Sequence, residues 1–262
     1  MAEDDPDDSL DQDPEPEEPG IPDAPVPESD LRDKHRRYVV IHGHFYQPPR
    51  ENPWIEVIEK EPSAHPRHDW NERVAWECYI PNKAARVVSP DGKILDVVNN
   101  YAWFNFNFGP TLLDWFEKTC PHDSMALIEA DRESRERLGH GNAIAQAYNH
   151  IILPLANPRD RATQVRWGIA DFRFRFGRDP EAMWVPETAV NADTLRTLID
   201  HGMRYVILSP TQAEKIRRLG RGGRWHFVWE GSIDTRRAYR WFDKDPRGHP
   251  DRDRFIDVFF YD

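Results

Sequence analysis

A carboxylate placed just past a short apolar run, with a helix signal behind it, is well sited to act as a nucleophile, and Met183-Trp184-Val185-Pro186-Glu187 has that form. Asn191 is a good helix N-cap, Leu195, Leu198 and Ile199 share one helical face, and Gly202 sits where such a helix would stop. Arg204 to Leu208 then reads as a buried strand. Strand, turn, helix, glycine and strand make a βαβ unit with parallel strands and a right-handed crossover. Glu187 would lie at the carboxyl end of its first strand, the edge where α/β proteins bind substrates. The competing reading is that Glu187 only complements the positive N-terminus of the following helix.

A second group is His42-Gly43-His44 with Gln47-Pro48 close behind. Alternate residues of a strand face the same way, so both imidazoles can enter one pocket. Neutral imidazoles can bond sugar hydroxyls, and a His-x-His pair at a strand end can also ligate zinc. A plain structural role, satisfying backbone groups in the core, stays open. Metal binding needs further ligands, and neither His-x-x-x-His nor His-Glu-x-x-His occurs. A third group, Gly139-His140-Gly141-Asn142 leading to Tyr148-Asn149-His150, ends beside the apolar run Ile151 to Leu155. On that ground alone His150 reads as a structural histidine.

The elements that must hold these residues alternate between strand and helix. Tyr38 to Ile41 reads as a central strand ending in the imidazoles, and Pro48-Pro49 forces a loop. Asn71 to Val88 has helical composition, broken or kinked at Pro81. Ile94 to Phe108 reads as β, with Ala102, Phe104, Phe106 and Phe108 alternating against Trp103, Asn105 and Asn107. Gly109-Pro110 ends it, and Leu112, Leu113 and Phe116 open a helix. Asp160 can cap a helix with Val165, Ile169, Phe172 and Phe176 on one stripe, stopped by Gly177. Trp225 to Trp229 and Phe255 to Tyr261 read as strands separated by a charged, mostly looped segment, Arg236 to Asp253. The order implies α/β with a largely parallel sheet, compatible with a barrel.

The net charge of −11 misleads about the body of the chain. Residues 1 to 33 hold 14 acids against one Arg, so the other 229 residues carry a net +2. That removes the electrostatic argument for nucleic acid or an anionic membrane as partner. With seven prolines and few large apolar residues, residues 1–36 read as a disordered acidic tail ahead of one domain at 37–262. The tail lacks the form of a signal peptide, and no run of about 18 apolar residues occurs, which points to a cytoplasmic protein. Cys78 and Cys120 have neither CxxC spacing nor a disulfide framework and read as buried small hydrophobes.

Several ordered segments resemble glycoside hydrolase family 57, retaining α-glucan-active enzymes that share a barrel superfamily with the family 38 mannosidases. His42-Gly43-His44-Phe45-Tyr46-Gln47-Pro48 is similar to its first region, with two residues between His44 and Gln47 where the family usually has none. Phe104-Asn105-Phe106-Asn107-Phe108-Gly109-Pro110-Thr111-Leu112-Leu113 resembles its Phe-Asn-Phe-x-Pro-x-Leu-Leu segment, and Tyr148 to Leu155 its second region. Trp167-Gly168-Ile169-Ala170-Asp171-Phe172 and Met183 to Glu187 resemble the approach to its nucleophile and the nucleophile region itself. The resemblance runs from about residue 38 to residue 208.

It implies a seven-stranded (β/α) barrel of the family 38/57 type, a retaining mechanism with Glu187 as nucleophile, and sugar subsites lined by His42, His44, Gln47, His150 and Trp184. The implied partner is an α-glucan, an oligo- or polysaccharide, with no cofactor. A retaining glycosidase also needs a second carboxyl group about 5 to 5.5 Å from the first, to protonate the leaving oxygen. The family's acid is an Asp in a later region, whereas 75 residues follow Glu187 here. Asp234 and Asp262 stand in no wording typical of that region. The barrel is therefore expected to be incomplete at its C-terminal end. Two rival readings remain: a glucan-binding or vestigial barrel without the acid, and a metal-dependent hydrolase or deacetylase built on His42 and His44.

Overall fold

The computed structural model describes residues 38–219 and 223–262. The expected acidic tail thus lies outside the described residues. Six short strands run parallel and side by side in chain order. β1 (His42–Phe45) pairs with β2 (Asn105–Phe108), and a bridge from Phe106 to Ala143 carries the run toward β3 (Ala145–Gln146). β3 pairs with β4 (Met183–Trp184), and a bridge from Ala182 to Tyr205 continues to β5 (Tyr205–Leu208). β6 (Ala238–Lys244) and β7 (Pro250–Phe260) form an antiparallel hairpin, and β7 is the parallel neighbour of β5. Among the described residues, no strand pairs with the other side of β1.

Among the described residues, four helices of nine or more residues lie between the parallel strands, and their ends are set by local chemistry. α1 (Pro110–Thr119) starts on a proline whose missing N–H is no loss at that position. α2 (Pro121–Leu138) ends at Gly139 and α3 (Pro158–Phe176) at Gly177, both left-handed, with φ of 80° and 63°. α4 (Ala192–Asp200) is capped by Asn191, whose side chain accepts from the Thr194 N–H. This is the helix expected behind Glu187, and β4 and β5 on either side of it are parallel, as a βαβ unit requires. No described helix is long and apolar enough to cross a membrane.

The core is built around the phenylalanine face of β2. Phe106 and Phe108 are buried with Phe45, Tyr79, Tyr101 and Phe116, and Phe45 stacks on Phe108 at 4.7 Å between ring centres. Because side chains alternate, the same packing turns Asn105 and Asn107 to the opposite face.

Several expectations need correction. Tyr38 to Ile41 is not a central strand: these residues are 58 to 91% exposed and pairing begins at His42, with Ile41 contributing only its carbonyl to Asn105. The helical stretch expected to reach Val88 stops at Lys83. Its ladder widens to a π-turn over Ala75–Tyr79, just ahead of Pro81, which has no N–H to donate. Ala85–Val88 pairs instead with Ile94–Val98 across Ser89-Pro90-Asp91-Gly92, a strong turn sequence. That hairpin and β2 are separate strands, where one was expected over 94 to 108. The cap of α3 is Asn157 rather than Asp160, since Pro158 fits the first helical position and Asn157 accepts from the Asp160 N–H. Trp225 to Trp229 contracts to a two-residue strand, His226–Phe227. The segment 236 to 253 holds most of the β6–β7 hairpin. Its charges pair across and behind the strands, Arg240 with Asp257 at 2.7 and 2.9 Å, and Asp243 with both Arg196 and Arg254. Cys78 and Cys120 are half-buried against the core and unbonded.

Candidate active site

The first parallel pair explains how the imidazoles are held. Phe45 turns into the aromatic core, so His42 and His44 lie on the other face of β1. The register sets His42 beside Asn105 and His44 beside Asn107. His42 Nδ1 lies 2.5 Å from Asn105 Oδ1, and Asn105 Nδ2 donates to the main-chain oxygen of Asn142 at 2.6 Å. The amide head of Asn107 lies 3.1 Å from His42 Nε2, 3.0 to 3.2 Å from His44 Nδ1 and 2.6 Å from the amide of Gln146 on β3. Asn107 and Gln146 are buried.

Rings gather above this polar floor. Trp184, at the end of β4, stacks on His42 at 5.1 Å and on His44 at 4.5 Å. His150 stacks on Tyr46 at 3.7 Å, and its Nε2 is 3.3 Å from His44 Nε2. His150 is thus brought to the site and not into the core. A cavity of about 250 Å³ is lined by His44, Trp184, Glu187, Thr188 and Tyr261. All five come from the last residues of strands β1, β4 and β7 or the turns directly after them. Gln47 points elsewhere: its Oε1 accepts from Arg50 Nη2 at 2.9 Å, and Arg50 also holds Glu61.

The backbone at this mouth is unusual. His150, Glu187 and Thr188 have φ of 55°, 55° and 53°. Non-glycine residues seldom enter that left-handed region, and a β-branched threonine pays most to be there. The turn holds Glu187 exposed while Thr188 is buried. A larger cleft of about 450 Å³ opens between Tyr148, Trp167, Asp171 and Phe174. Its one carboxylate, Asp171, is already paired with Arg175.

Burial sets the charge of the rings. It lowers the pKa of His42 against the opposing hydrogen bonds from Asn105 and Asn107. For His44, burial lowers the value to about 4, helped by the neighbouring His150 and His42. Burial also lowers His150, although Glu187 pulls the other way. Tyr46 is raised by burial and then by Glu187, so its phenol stays protonated. The cavity is therefore lined by one neutral imidazole, His44, with two more beside it; a neutral imidazole exchanges hydrogen bonds with hydroxyls without attracting ions. Among the described residues, no three His, Cys, Asp or Glu side chains are grouped to hold a metal ion, so the donor set lends the metal-dependent reading no support.

Glu187 is the one carboxylate lining the cavity among the described residues. Asp234 is held well below the usual carboxylate range by Arg236 and Arg237, which unsuits it as a proton donor near neutral pH. Reasoning from sequence did not single out Tyr46, Asn105, Asn107, Gln146, Thr188 or Tyr261 as site residues. Asn105 and Asn107 left a signal, since amides alternating with Phe along a buried strand must find partners on their own face.

A family model described as glycosyl hydrolase family 57 matches residues 34–241. Among solved structures, the 4-alpha-glucanotransferase from Thermococcus litoralis is 16% identical over 85% of this chain and 27% of its own, with a TM-score of 0.46. The alpha-amylase AmyC from Thermotoga maritima is 13% identical over 87% of this chain and 46% of its own, at 0.48. The GH57-type branching enzyme from Pyrococcus horikoshii is 14% identical over 86% and 47%, at 0.47. The chain spans less than half the length of each of the three. No curated protein matches.

Proposed function

The chain belongs to glycosyl hydrolase family 57, and from that premise we propose that it serves an α-glucan hydrolase or glucanotransferase that works with retention, with Glu187 as the nucleophile. The observation that carries the reading is the convergence of Glu187, Trp184, His44 and Thr188 on one cavity beside His42 and His150. We read the six parallel strands as belonging to a seven-stranded (β/α) barrel, in which carboxyl-end loops build the site.

In the proposed reaction a carboxylate oxygen of Glu187 attacks the anomeric carbon and the glycosidic bond breaks, giving a covalent glycosyl-enzyme. A second carboxyl group protonates the departing oxygen, then takes a proton from the water or sugar hydroxyl that releases the glycosyl group. That group is assigned to no residue here. Trp184 offers an apolar face to a sugar ring, with the neutral imidazole of His44 on the cavity wall and those of His42 and His150 packed against Trp184 and His44.

Mass spectrometry of the full chain treated with an activated 5-fluoro-α-glucosyl fluoride tests the assignment, because a good leaving group needs little acid help. The expected adduct sits on the peptide containing Glu187 and is absent from Glu187→Gln, which keeps the wild-type circular dichroism. An adduct on another residue, or an unchanged adduct in Glu187→Gln, would sink it.

A further inference from the structure

We propose that Asn107 is the positioning residue that fixes the neutral tautomers of His42 and His44, setting His42 as Nδ1–H and His44 as Nε2–H. The assignment begins at one atom whose role is unambiguous. The main-chain oxygen of Asn142 can only accept, so the Asn105 side chain must turn its NH2 toward it, at 2.6 Å. Asn105 Oδ1 then faces His42 Nδ1 at 2.5 Å, and that nitrogen must carry the hydrogen.

A neutral imidazole carries only one, so His42 Nε2 is a bare lone pair. The group 3.1 Å away is the head of Asn107, which must present its NH2 and not its oxygen. The same position lies 3.2 Å from His44 Nδ1, and the other atom of the head, its oxygen in this orientation, lies 3.0 Å from that nitrogen. Two N–H groups meet two ring nitrogens. Were His44 protonated at Nδ1 instead, it could donate to that oxygen, but the second N–H of the buried Asn107 would have no acceptor. His44 is therefore Nε2–H, and His150, whose Nε2 lies 3.3 Å away, receives it and carries its own hydrogen on Nδ1.

Gln146 closes the count. With Asn107 oriented this way its oxygen faces Gln146 at 2.6 Å, so Gln146 must donate there. In the reverse orientation the buried Gln146 Nε2 has no partner, which strands two N–H donors where the assigned orientation strands one carbonyl oxygen. One backbone carbonyl thus dictates three amides and three rings. The outcome is that the single N–H of His44, a ring that lines the cavity, is held by His150. That a sugar hydroxyl takes the place of His150 on this donor rests on the glucan reading; the tautomers themselves do not.

The test is long-range 1H–15N correlation spectroscopy on the full chain labelled at histidine nitrogen, without ligand, at neutral pH. The rings are assigned by difference from His42→Gln and His44→Gln. A protonated ring nitrogen resonates far from a bare one, so the pattern reads directly. Expected are His42 with the hydrogen on Nδ1 and His44 with it on Nε2. His42 protonated at Nε2, His44 at Nδ1, or either ring doubly protonated would overturn the proposal. Asn107→Asp keeps the shape but removes both N–H groups, so His42 Nε2 and His44 Nδ1 should acquire hydrogens; unchanged tautomers in that variant would also overturn it. Because no substrate is used, failure here leaves Glu187 as nucleophile untouched, and failure of the glucan reading leaves the tautomers untouched.

Discussion

Gly168→Ala sets two effects of opposite sign against each other. Gly168 lies inside α3, where alanine is the better helix former by about 1 kcal/mol. Propensity alone therefore makes the substitution stabilising. The added Cβ, however, would fall 2.0 Å from the main-chain oxygen of Gln146 and 3.3 Å from Met183 Cε. Ordinary contact begins near 3.4 Å, so helix and strand must part by roughly 1.4 Å. The obstacle is backbone and cannot rotate away. It is also pinned, since Ala145 donates to the Ala182 carbonyl at 3.0 Å and Tyr148 to the Gln164 carbonyl at 3.3 Å. Overpacking of this kind costs about 1 to 3 kcal/mol, and a rigid obstacle belongs at the upper end. The net expectation is a loss of about 1 to 2 kcal/mol, read as a lower urea midpoint at unchanged slope. A midpoint equal to or above wild type would refute the reasoning, because it would mean α3 does not press on β3 as described.

Asp131→Ala removes a buried carboxylate that accepts from Arg178 Nε and Nη2 at 2.8 and 2.7 Å and from the Ala143 N–H at 2.9 Å; a loss of about 3 to 5 kcal/mol in urea unfolding is expected, and under 1 kcal/mol would contradict it. Tyr101→Phe deletes a buried hydroxyl that donates to the Tyr79 carbonyl at 2.9 Å, for about 1 kcal/mol in the same assay, with a neutral result arguing against that bond. The histidines add a pH dependence with a definite sign: His42, His44 and His150 are lowered in the folded chain, to about 4 for His44, so below the unfolded value of about 6.5 the unfolded state binds more protons. Their stabilisation is complete above pH 6.5 and drains away as pH falls toward 4; His44→Gln should flatten thermal melts between pH 6.5 and 5, and an unaltered slope would count against burial as the cause.

The parts of the fold that were legible in sequence carry a short-range signature. Asn191, Leu195, Leu198 and Gly202 announced α4 because a cap, an apolar stripe and a stop are each local. His42 and His44 announced a shared face because strand periodicity is two. Phe255 to Tyr261 was legible as the apolar end of β7, whereas β6 and the start of β7 were not, because their charged residues are satisfied by partners far along the chain, as Asp243 is by Arg196. His150 looked structural beside Ile151 and Ile152, yet a left-handed backbone at that residue swings its ring onto Tyr46. Asn107 was read only as the polar half of an alternation, since its importance comes from the register with His44, and register is a property of two strands.

The left-handed pair at Glu187 and Thr188 sets stability and use at odds. A glycine at position 188 would enter that backbone region freely and release on the order of 1 to 3 kcal/mol. Selection for folded protein alone would therefore drift toward glycine at that codon, whereas selection on a carboxylate held at a fixed aim would keep the bulkier residue. Libraries screened for solubility and for turnover should diverge first at this turn, and that divergence would mark the strain as retained for what it positions.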